Sequence, residues 1–131
     1  MEIIYKLNEK ISPEQLLKLF NDANLKRPQS LERLNKMIND ADILISAWSE
    51  NELIGVVRCI TDYSFCCYIS DLAIGKKFQK KGIGKELIRK VQEYLGDEVM
   101  ILLLSVPQAL NYYPKIGFNK IDNAYQIPRK A

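Results

Sequence analysis

The sequence predicts an α/β fold with a mixed central sheet of about six strands and about four helices. First, apolar strand-like segments alternate with amphipathic helical segments along the 131 residues. Second, the early strands are joined by short polar turns, as in antiparallel hairpins. Third, a strand, helix and strand follow one another over residues 65–104, and such a crossover makes its two strands parallel. Because 131 residues with 47% hydrophobic side chains suit one core, we expect a single domain over residues 1–131.

The first half of the chain predicts one strand, two helices and two more strands. Residues 3–7 form the first strand, and Ser12-Pro13-Glu14-Gln15 is a capping box with proline at the first helical position. Apolar residues at helical spacing follow in both helices, namely Leu16, Leu17, Phe20 and Ala23, then Leu31, Leu34, Met37 and Ile38. Residues 24–29 separate the helices, and Ser30 can cap the second. Strands at 43–48 and 53–60 are joined by the polar turn 49–52.

The second half predicts a strand at 65–74, the long amphipathic helix, and a strand at 99–104. The helix places Ile83, Leu87, Ile88, Val91 and Leu95 on one face, and Gly96 suits its C-terminal cap. Residues 99–104 are continuously apolar, as in a central strand covered on both faces. A helix over 107–116 and a strand over 118–127 complete the predicted elements.

The most informative segment is Gln79-Lys80-Lys81-Gly82-Ile83-Gly84, between a strand and a helix. Glycines at a helix start allow a phosphate to approach the free backbone N–H groups and the positive end of the helix dipole. Five lysines surround the segment, Lys76, Lys77, Lys80, Lys81 and Lys85. The pattern is neither a Walker A loop nor a dinucleotide fingerprint. It predicts a site for a phosphate-bearing cofactor, and the alternative is a strand-to-helix turn with solvated lysines.

A second motif occurs about thirty residues later, as Ala109-Leu110-Asn111-Tyr112-Tyr113-Pro114-Lys115-Ile116-Gly117-Phe118. At this point the chain resembles the GNAT superfamily of acyl-CoA-dependent N-acetyltransferases. Gln79, Gly82 and Gly84 match that family's Gln/Arg-x-x-Gly-x-Gly/Ala motif. The later segment matches Ala-x-x-Phe-Tyr-x-Lys-x-Gly-Phe, with Tyr112 in place of the usual phenylalanine. Since the order of the elements also fits, the resemblance covers nearly the whole chain.

The resemblance implies a GNAT fold in which the two central parallel strands splay apart and admit acetyl-CoA, with CoA as product. The pantetheine arm would pair with the backbone of Leu72, Ala73 and Ile74. The pyrophosphate would be held at Gln79 and by the amides of Lys80, Lys81, Gly82, Ile83, Gly84 and Lys85. Many members have asparagine three residues before the Ala109 position, where this chain has Val106. Asn111 on the same predicted helix could contact the cofactor instead, and the alternative is an exposed polar residue.

For catalysis, the resemblance places the general acid at Tyr113, whose phenol would protonate the leaving thiolate. The alternative is a core aromatic residue. Strand alternation puts Tyr68 and Ser70 on one face and Asp71 on the other. Asp71 is therefore the nearest candidate for the base, but it would face the cleft only if a bulge re-aims it. Its alternative is a loop-anchoring aspartate, and a free amine or water-relayed deprotonation would need no strong base.

The acceptor is indicated only by resemblance. In the family it is chosen by the first two helices and their loop, here about residues 17–34, and by the hairpin around 62–65. Residues 57–84 also resemble the small arylalkylamine acetyltransferases, so we expect a small primary amine. The rival acceptors are protein N-termini or lysines. The rival outside the enzyme class is a non-catalytic CoA-binding sensor or interaction module.

Composition excludes several other classes. A net charge of +3 is too small for a nucleic-acid footprint. No apolar run approaches the roughly 20 residues of a membrane span, and the chain starts without a signal-peptide pattern. Three cysteines in strand-like sequence suggest reduced core thiols in a cytoplasmic protein. The absence of histidine argues against a metal site and a catalytic cysteine. A homodimer is left open.

Overall fold

A computed structural model describes residues 2–131, and within that range it contains five strands and three α-helices. The chain runs through β1 (Ile4–Leu7), α1 (Pro13–Asp22), α2 (Leu31–Asp40), β2 (Ile43–Ser49), β3 (Glu52–Thr61), β4 (Cys66–Ile74), α3 (Ile83–Leu95) and β5 (Met100–Leu103). Short 3₁₀ helices cover Lys76–Phe78, Pro107–Ala109 and Tyr113–Ile116. The strands lie in chain order in one sheet, antiparallel except for the parallel pair β4 and β5. The predicted mixed α/β architecture is confirmed.

The predicted helix ends are also confirmed. The Ser12 hydroxyl accepts the Gln15 amide at 3.0 Å while the Gln15 side chain accepts the Ser12 amide at 3.0 Å. This reciprocal pair satisfies two donors that the first turn of α1 leaves free. Ser30 caps α2 through the Arg33 amide, and Gly96 ends α3 at φ +84°, which favours glycine.

The core lies on both faces of the sheet. On one face α3 packs against the central strands through Ile83, Leu87, Ile88 and Val91. On the other, α1 and α2 pack through Leu16, Leu19, Phe20, Leu34 and Ile38. Burial of these side chains stabilises the fold, at about 25 cal/mol per Å² of apolar surface. The two helix layers leave the outer edge of β5 without a strand partner in the described range.

Strand β4 carries a bulge at Ser70. Arg58 of β3 faces Asp71, but the next residue, Cys59, faces Ile69, so Ser70 is an extra residue in β4. The bulge reverses the alternation of the strand. Ile69 packs on the α3 side, whereas Ala73, four residues later, packs on the α1 and α2 side. Asp71 lies opposite Arg58 on this second side, so the simple alternation expected from the sequence is corrected.

The two parallel strands separate immediately after the bulge. Pairing runs from Cys66 with Met100 to Ile69 with Leu103 and stops there, although β4 continues to Ile74. The last five residues of β4 therefore have one edge without a strand partner among the described residues. Because unpaired backbone N–H and C=O groups bind ligands as readily as strands, this opening can take an extended ligand.

The predicted helix over 107–116 is two 3₁₀ helices instead. Its hydrogen bonds join residues three apart, as from the Ala109 amide to the Val106 carbonyl and from the Lys115 amide to the Tyr112 carbonyl. Pro114 has no N–H and disfavours helical geometry in the residue before it. A continuous α-helix through this position is therefore unfavourable.

The predicted last strand over 118–127 does not form. The segment has no regular structure, and Tyr125 and Ile127 are almost fully exposed. Asp122 and Asn123, both turn-forming residues, interrupt the apolar positions that would have to alternate along a strand. The sheet thus has five strands rather than about six.

The cysteines differ from the expected set of core thiols in one position. Cys59 and Cys67 are buried, but Cys66 is exposed at the start of β4. All three are free thiols. Separately, no helix in residues 2–131 combines the length and apolar composition that a membrane span needs.

The turn between β3 and β4 generates a prediction about pH. One Asp62 carboxylate oxygen accepts the amides of Ser64, Phe65 and Cys66 at 2.9–3.1 Å. These bonds lower the pKa of Asp62 from 3.8 to about 2. A lowered folded-state pKa means that the stabilisation is complete above pH 4 and is lost as the pH falls toward 2.

We therefore expect Asp62→Ala to lower the melting temperature at pH 7. The difference from the parent should shrink between pH 4 and pH 2, which thermal unfolding at a series of pH values measures. Asp62→Asn, which keeps an oxygen acceptor without the charge, should fall between the two. A pH-independent difference would contradict the assigned role of the carboxylate.

Candidate active site

The start of α3 presents free backbone donors beside the opening in the sheet. The first bond of the helix runs from the Glu86 amide to the Gly82 carbonyl at 3.0 Å, and no side chain caps this end. The amides of Ile83, Gly84 and Lys85 therefore have no intrahelical partner. They carry the positive end of the helix dipole, which favours an anionic ligand.

Glycine is required at this helix start for two different reasons. Gly82 adopts φ +83°, and a Cβ built on it meets no atom within 4 Å, so its missing side chain leaves open space before the helix. Gly84 is buried instead, and its Cβ would lie 2.9 Å from the Tyr112 hydroxyl. The loop is held to β4 by a 3.0 Å hydrogen bond from the Gln79 side chain to the Ile74 carbonyl. Together these features form a cradle into which a phosphate fits.

The predicted lysines give the cradle its charge. Lys76, Lys77, Lys80, Lys81 and Lys85 are all exposed. Within residues 2–131 none of them forms a salt bridge with a carboxylate. Lys81 lies over the ring of Phe78, 5.9 Å from its centroid. The cluster is therefore an uncompensated positive surface around three free amides, which attracts anions over several ångströms.

Tyr112 is the aromatic residue that the structure brings to the cradle. A Cβ built on Gly84 would lie 2.9 Å from the Tyr112 hydroxyl and 3.8 Å from the Ile74 side chain. Burial raises the pKa of Tyr112 above its usual value of 10, so the hydroxyl keeps its proton at neutral pH. Sequence reasoning noted this tyrosine only as a replacement for phenylalanine, and the substitution itself was the available signal.

Tyr113 lies beside Tyr112 but faces a different space. Its ring makes edge contacts with Tyr112 and Phe118, at centroid distances of 5.3 and 5.5 Å. It lines a largely apolar cavity of about 700 Å³ along the outer edge of β5, with Leu103, Leu110 and Phe118 among its neighbours. Burial, and secondarily Tyr112, raise the pKa of Tyr113. This cavity is therefore separate from the cradle. It lies beside the unpaired edge of β5.

Asp71 is buried at the β4 bulge between two arginines. Arg27, in the loop between α1 and α2, donates its Nε–H to one carboxylate oxygen at 2.5 Å. Arg58 of β3 donates its Nε–H to the other oxygen at 2.5 Å. Arg27 also donates to the Ser70 carbonyl at 2.9 Å, and Arg58 to the Ser70 hydroxyl at 2.8 Å. The bulge does re-aim Asp71, as the sequence argument required, but toward guanidinium groups.

The base role of Asp71 stays a prediction that this geometry does not favour. To accept a proton, the carboxylate would have to give up a charge-assisted bond to Arg27 or Arg58. Neither arginine was connected with Asp71 from the sequence, since they are 44 and 13 positions away. The only signal of this contact in the sequence lay in the residue types, with an acid among strand residues and cationic residues in a loop.

The remaining predicted residues lie at different depths around the opening. Leu72 and Ile74 are half-buried on the α3 side of β4, and Ala73 is buried on the opposite side. Asn111 is exposed between the two C-terminal 3₁₀ helices and makes no hydrogen bond within the described residues. Tyr68 is partly exposed on β4 before the bulge. Among residues 2–131 no group of histidine, cysteine, aspartate or glutamate could hold a metal ion.

Comparison with known proteins gives the same result at the level of sequence and fold. The model of the Acetyltransferase (GNAT) family matches residues 4–118. An N-acetyltransferase of Gracilaria tenuistipitata var. liui, ycf52, described as uncharacterized, is 29% identical over 125 residues, covering 90% of this chain and 68% of that protein.

Two solved structures illustrate the likeness in fold. A protein from meticillin-resistant Staphylococcus aureus, described as a probable acetyltransferase, superposes with a TM-score of 0.86 at 21% identity, over 99% of this chain and 100% of that one. An aminoglycoside acetyltransferase from an uncultured soil metagenomic sample, in complex with sisomicin, reaches 0.69 at 21% identity, over 98% and 96%.

The contact between Gly84 and Tyr112 yields a prediction about packing. Gly84→Ala places a methyl group 2.9 Å from the hydroxyl of the half-exposed Tyr112, so the ring has to swing aside and the protein should lose only a fraction of the roughly 1–3 kcal/mol that overpacking a core costs. Adding Tyr112→Phe removes the oxygen and should recover most of that loss, which chemical denaturation of the single and double variants measures. If the two substitutions were additive, this contact would not be the cause.

Proposed function

The chain belongs to the acetyltransferase (GNAT) family, and on that premise we propose that it transfers an acetyl group from acetyl-CoA directly to a primary amine of a small molecule. One observation carries the proposal. The parallel strands β4 and β5 separate after Ile69, and the opening ends at a helix start with free amides and unpaired lysines. An extended strand edge followed by an anion site matches the chemistry of a pantetheine arm ending in a pyrophosphate.

The residues that would hold the donor fit it. On the β5 side, the edge of β4 at Leu72, Ala73 and Ile74 has no strand partner among residues 2–131, so its backbone groups can pair with the amide groups of the arm. At the helix start, the space before Gly82 would otherwise hold a Cβ, and it can take the pyrophosphate against the amides of residues 83–85. Gln79 fixes the loop, and the lysines, among them Lys80, Lys81 and Lys85, balance the phosphate charge. Bound acetyl-CoA supplies the thioester that is transferred.

We propose Tyr113 as the general acid. Its pKa is raised by burial, so the phenol is protonated at neutral pH and can donate to a leaving thiolate. The support for this role is the match of Tyr113 to the tyrosine of the family motif, whereas its ring lies against Phe118 in the cavity beside β5. Asn111, two residues earlier and exposed, is proposed as a further contact of the cofactor.

We propose that the acceptor reacts without a strong protein base. The nearest buried carboxylate, Asp71, is shared by two guanidinium groups, and the chain contains no histidine. An amine that arrives neutral, or that loses its proton to water, satisfies the chemistry. The rate should then follow the fraction of neutral amine.

A small arylalkylamine is the proposed acceptor class. The face of β4 toward α1 and α2 offers a partly exposed ring at Tyr68 just before the bulge. An aromatic side chain can pack against an apolar amine and attract its cationic form. The same fold occurs in an aminoglycoside acetyltransferase, so small acceptors are compatible with it.

The test is release of CoA thiol with a panel of amines. The panel should contain arylalkylamines, aliphatic amines, a polyamine and peptides with a free N-terminus or lysine. Turnover with small amines supports the proposal, and turnover with peptides alone would assign the protein-acetylating alternative. Tight acetyl-CoA binding without turnover on any amine would indicate a CoA-binding sensor.

The donor site predicts an effect of substitution at Gly82. In Gly82→Ala the methyl group occupies the space assigned to the pyrophosphate, so we expect acetyl-CoA affinity to fall roughly tenfold or more, by about 1.4 kcal/mol. Calorimetric titration measures it. Gly96→Ala is the control, because Gly96 at the other end of α3 also has a positive φ, +84° against +83° at Gly82, and equally open surroundings. Its ψ of −177° tolerates a side chain less well than the ψ of 4° at Gly82, so backbone strain alone would not single out Gly82→Ala. Equal affinities of the two variants would contradict the assignment.

The acid role predicts the kinetics of Tyr113→Phe. The ring is kept and the proton lost, so turnover should fall by roughly 10²–10⁴ while the acetyl-CoA Kd stays within about threefold. Steady-state kinetics with the best amine of the panel, together with calorimetry, separate the two quantities. Tyr112→Phe serves as the control and should leave turnover nearly unchanged, since the family commonly has phenylalanine there. Parent-like turnover in both variants would return Tyr113 to a packing role.

A further inference from the structure

The cluster around Asp71 joins three parts of the chain that are distant in sequence. Arg58 comes from β3, Asp71 from β4, and Arg27 from the loop between α1 and α2. Asp71 is fully buried, whereas the side chains of Arg58 and Arg27 are 10% and 26% exposed. The solvent exposure of the three side chains therefore increases from the sheet to the loop.

The charges of the cluster do not cancel. Two guanidinium groups and one carboxylate give a net charge of +1. Asp71 and Arg58 alone would already form a balanced cross-strand pair. Arg27 is thus not needed to neutralise Asp71, and a balanced buried pair is the less costly arrangement. Its presence calls for another role.

Arg27 is the link between the loop and the sheet. Within the described loop, its side chain is the one that hydrogen-bonds to β4, at the Asp71 carboxylate and the Ser70 carbonyl. The other bonds stay local, such as Arg27 Nη1 to the Lys26 carbonyl, the Gln29 side chain to the Arg27 carbonyl, and the paired amides of Asn21 and Gln29. They shape the loop, while Leu25 packs against the core and Asp22, at the end of α1, accepts the Lys76 amide at 2.8 Å. Arg27 is thus the hydrogen-bonded link of the loop to the bulge itself.

The point of attachment is the bulge, where β4 leaves β5. Arg27 hydrogen-bonds to Ser70, the extra residue of the bulge, and to Asp71 beside it. The same stretch begins the β4 edge that faces the opening. A loop fixed here forms a wall beside the position proposed for the thioester.

We infer that Arg27 is a positioning residue that fixes the loop between α1 and α2 over the β4 bulge and so places the acceptor amine. This inference rests on the proposed function. Because Arg27 lies on the acceptor side and the cradle on the other end of β4, its loss should affect acceptor use and leave donor binding unchanged. Its removal leaves Asp71 paired with Arg58 but takes the donor from one carboxylate oxygen and from the Ser70 carbonyl, so the variant should fold with reduced stability.

The experiment compares Arg27→Met with Lys10→Met, which removes an exposed cation outside the loop that has no salt bridge among the described residues. For Arg27→Met we expect the acceptor KM to rise about tenfold or more, as a misplaced reactant produces. The acetyl-CoA Kd, measured well below the melting temperature, should stay within about twofold, and the melting temperature should fall because two acceptors lose their donor. Lys10→Met should match the parent in all three quantities.

Arg27→Lys adds a graded test, because lysine keeps the charge but lacks the planar fork that bonds Asp71 and Ser70 together. Its acceptor KM should lie between the parent and Arg27→Met. An acceptor KM in Arg27→Met equal to that of Lys10→Met overturns the inference alone. A parallel rise in the acetyl-CoA Kd also overturns it, since that would indicate general loosening. Absence of turnover by the parent on every amine contradicts the proposed function, and the inference with it.

Discussion

The site depends on which backbone groups of β4 are paired with a neighbouring strand and which are not. A strand has two edges, and β4 uses one of them along its whole length to pair with β3. On the other edge it pairs with β5 only as far as Ile69, because the bulge at Ser70 turns the strand away. The fold can leave the remaining edge unpaired because solvent or a ligand can satisfy it. Three features follow from that bulge: the opening, the end of β4 beside α3, and the orientation of Asp71 toward the α1 and α2 side.

The bulge itself is stabilised from the side proposed for the acceptor. A bulge leaves one residue outside the regular ladder, and here both its carbonyl and its hydroxyl are bonded by arginines. The carboxylate of Asp71 then holds the two guanidinium groups in place. Such a buried cluster gains little net stability over an apolar packing of the same volume. Its effect is to specify one arrangement of strand and loop, which suits a residue set at the edge of a binding site.

The sequence was sufficient for the elements whose cause is local. Capping residues fixed the starts of α1 and α2, glycines marked both ends of α3, and apolar periodicity located the first five strands. Two predictions failed because local signals were overlooked: Asp122 and Asn123 interrupt the strand expected over 118–127, and Pro114 prevents a single helix over 107–116. The contacts around Asp71 were missed because distant partners decide them. The sequence indicated the bulge only as a condition for Asp71 to face the cleft. The arginines that bind Asp71 lie 13 and 44 positions away from it and gave no further signal.

The same distinction separates the two halves of the site. A donor that is bound through backbone amides leaves a short motif, since glycine is the residue that permits close approach and a positive φ. Gln79, Gly82 and Gly84 therefore predict the cradle without knowledge of the rest of the chain. The proposed acceptor side is formed by side chains from β3, β4 and a loop, and no spacing in the sequence encodes their meeting. Because Tyr112 contacts Gly84 from yet another segment, even the cradle is completed by a contact that only the fold supplies.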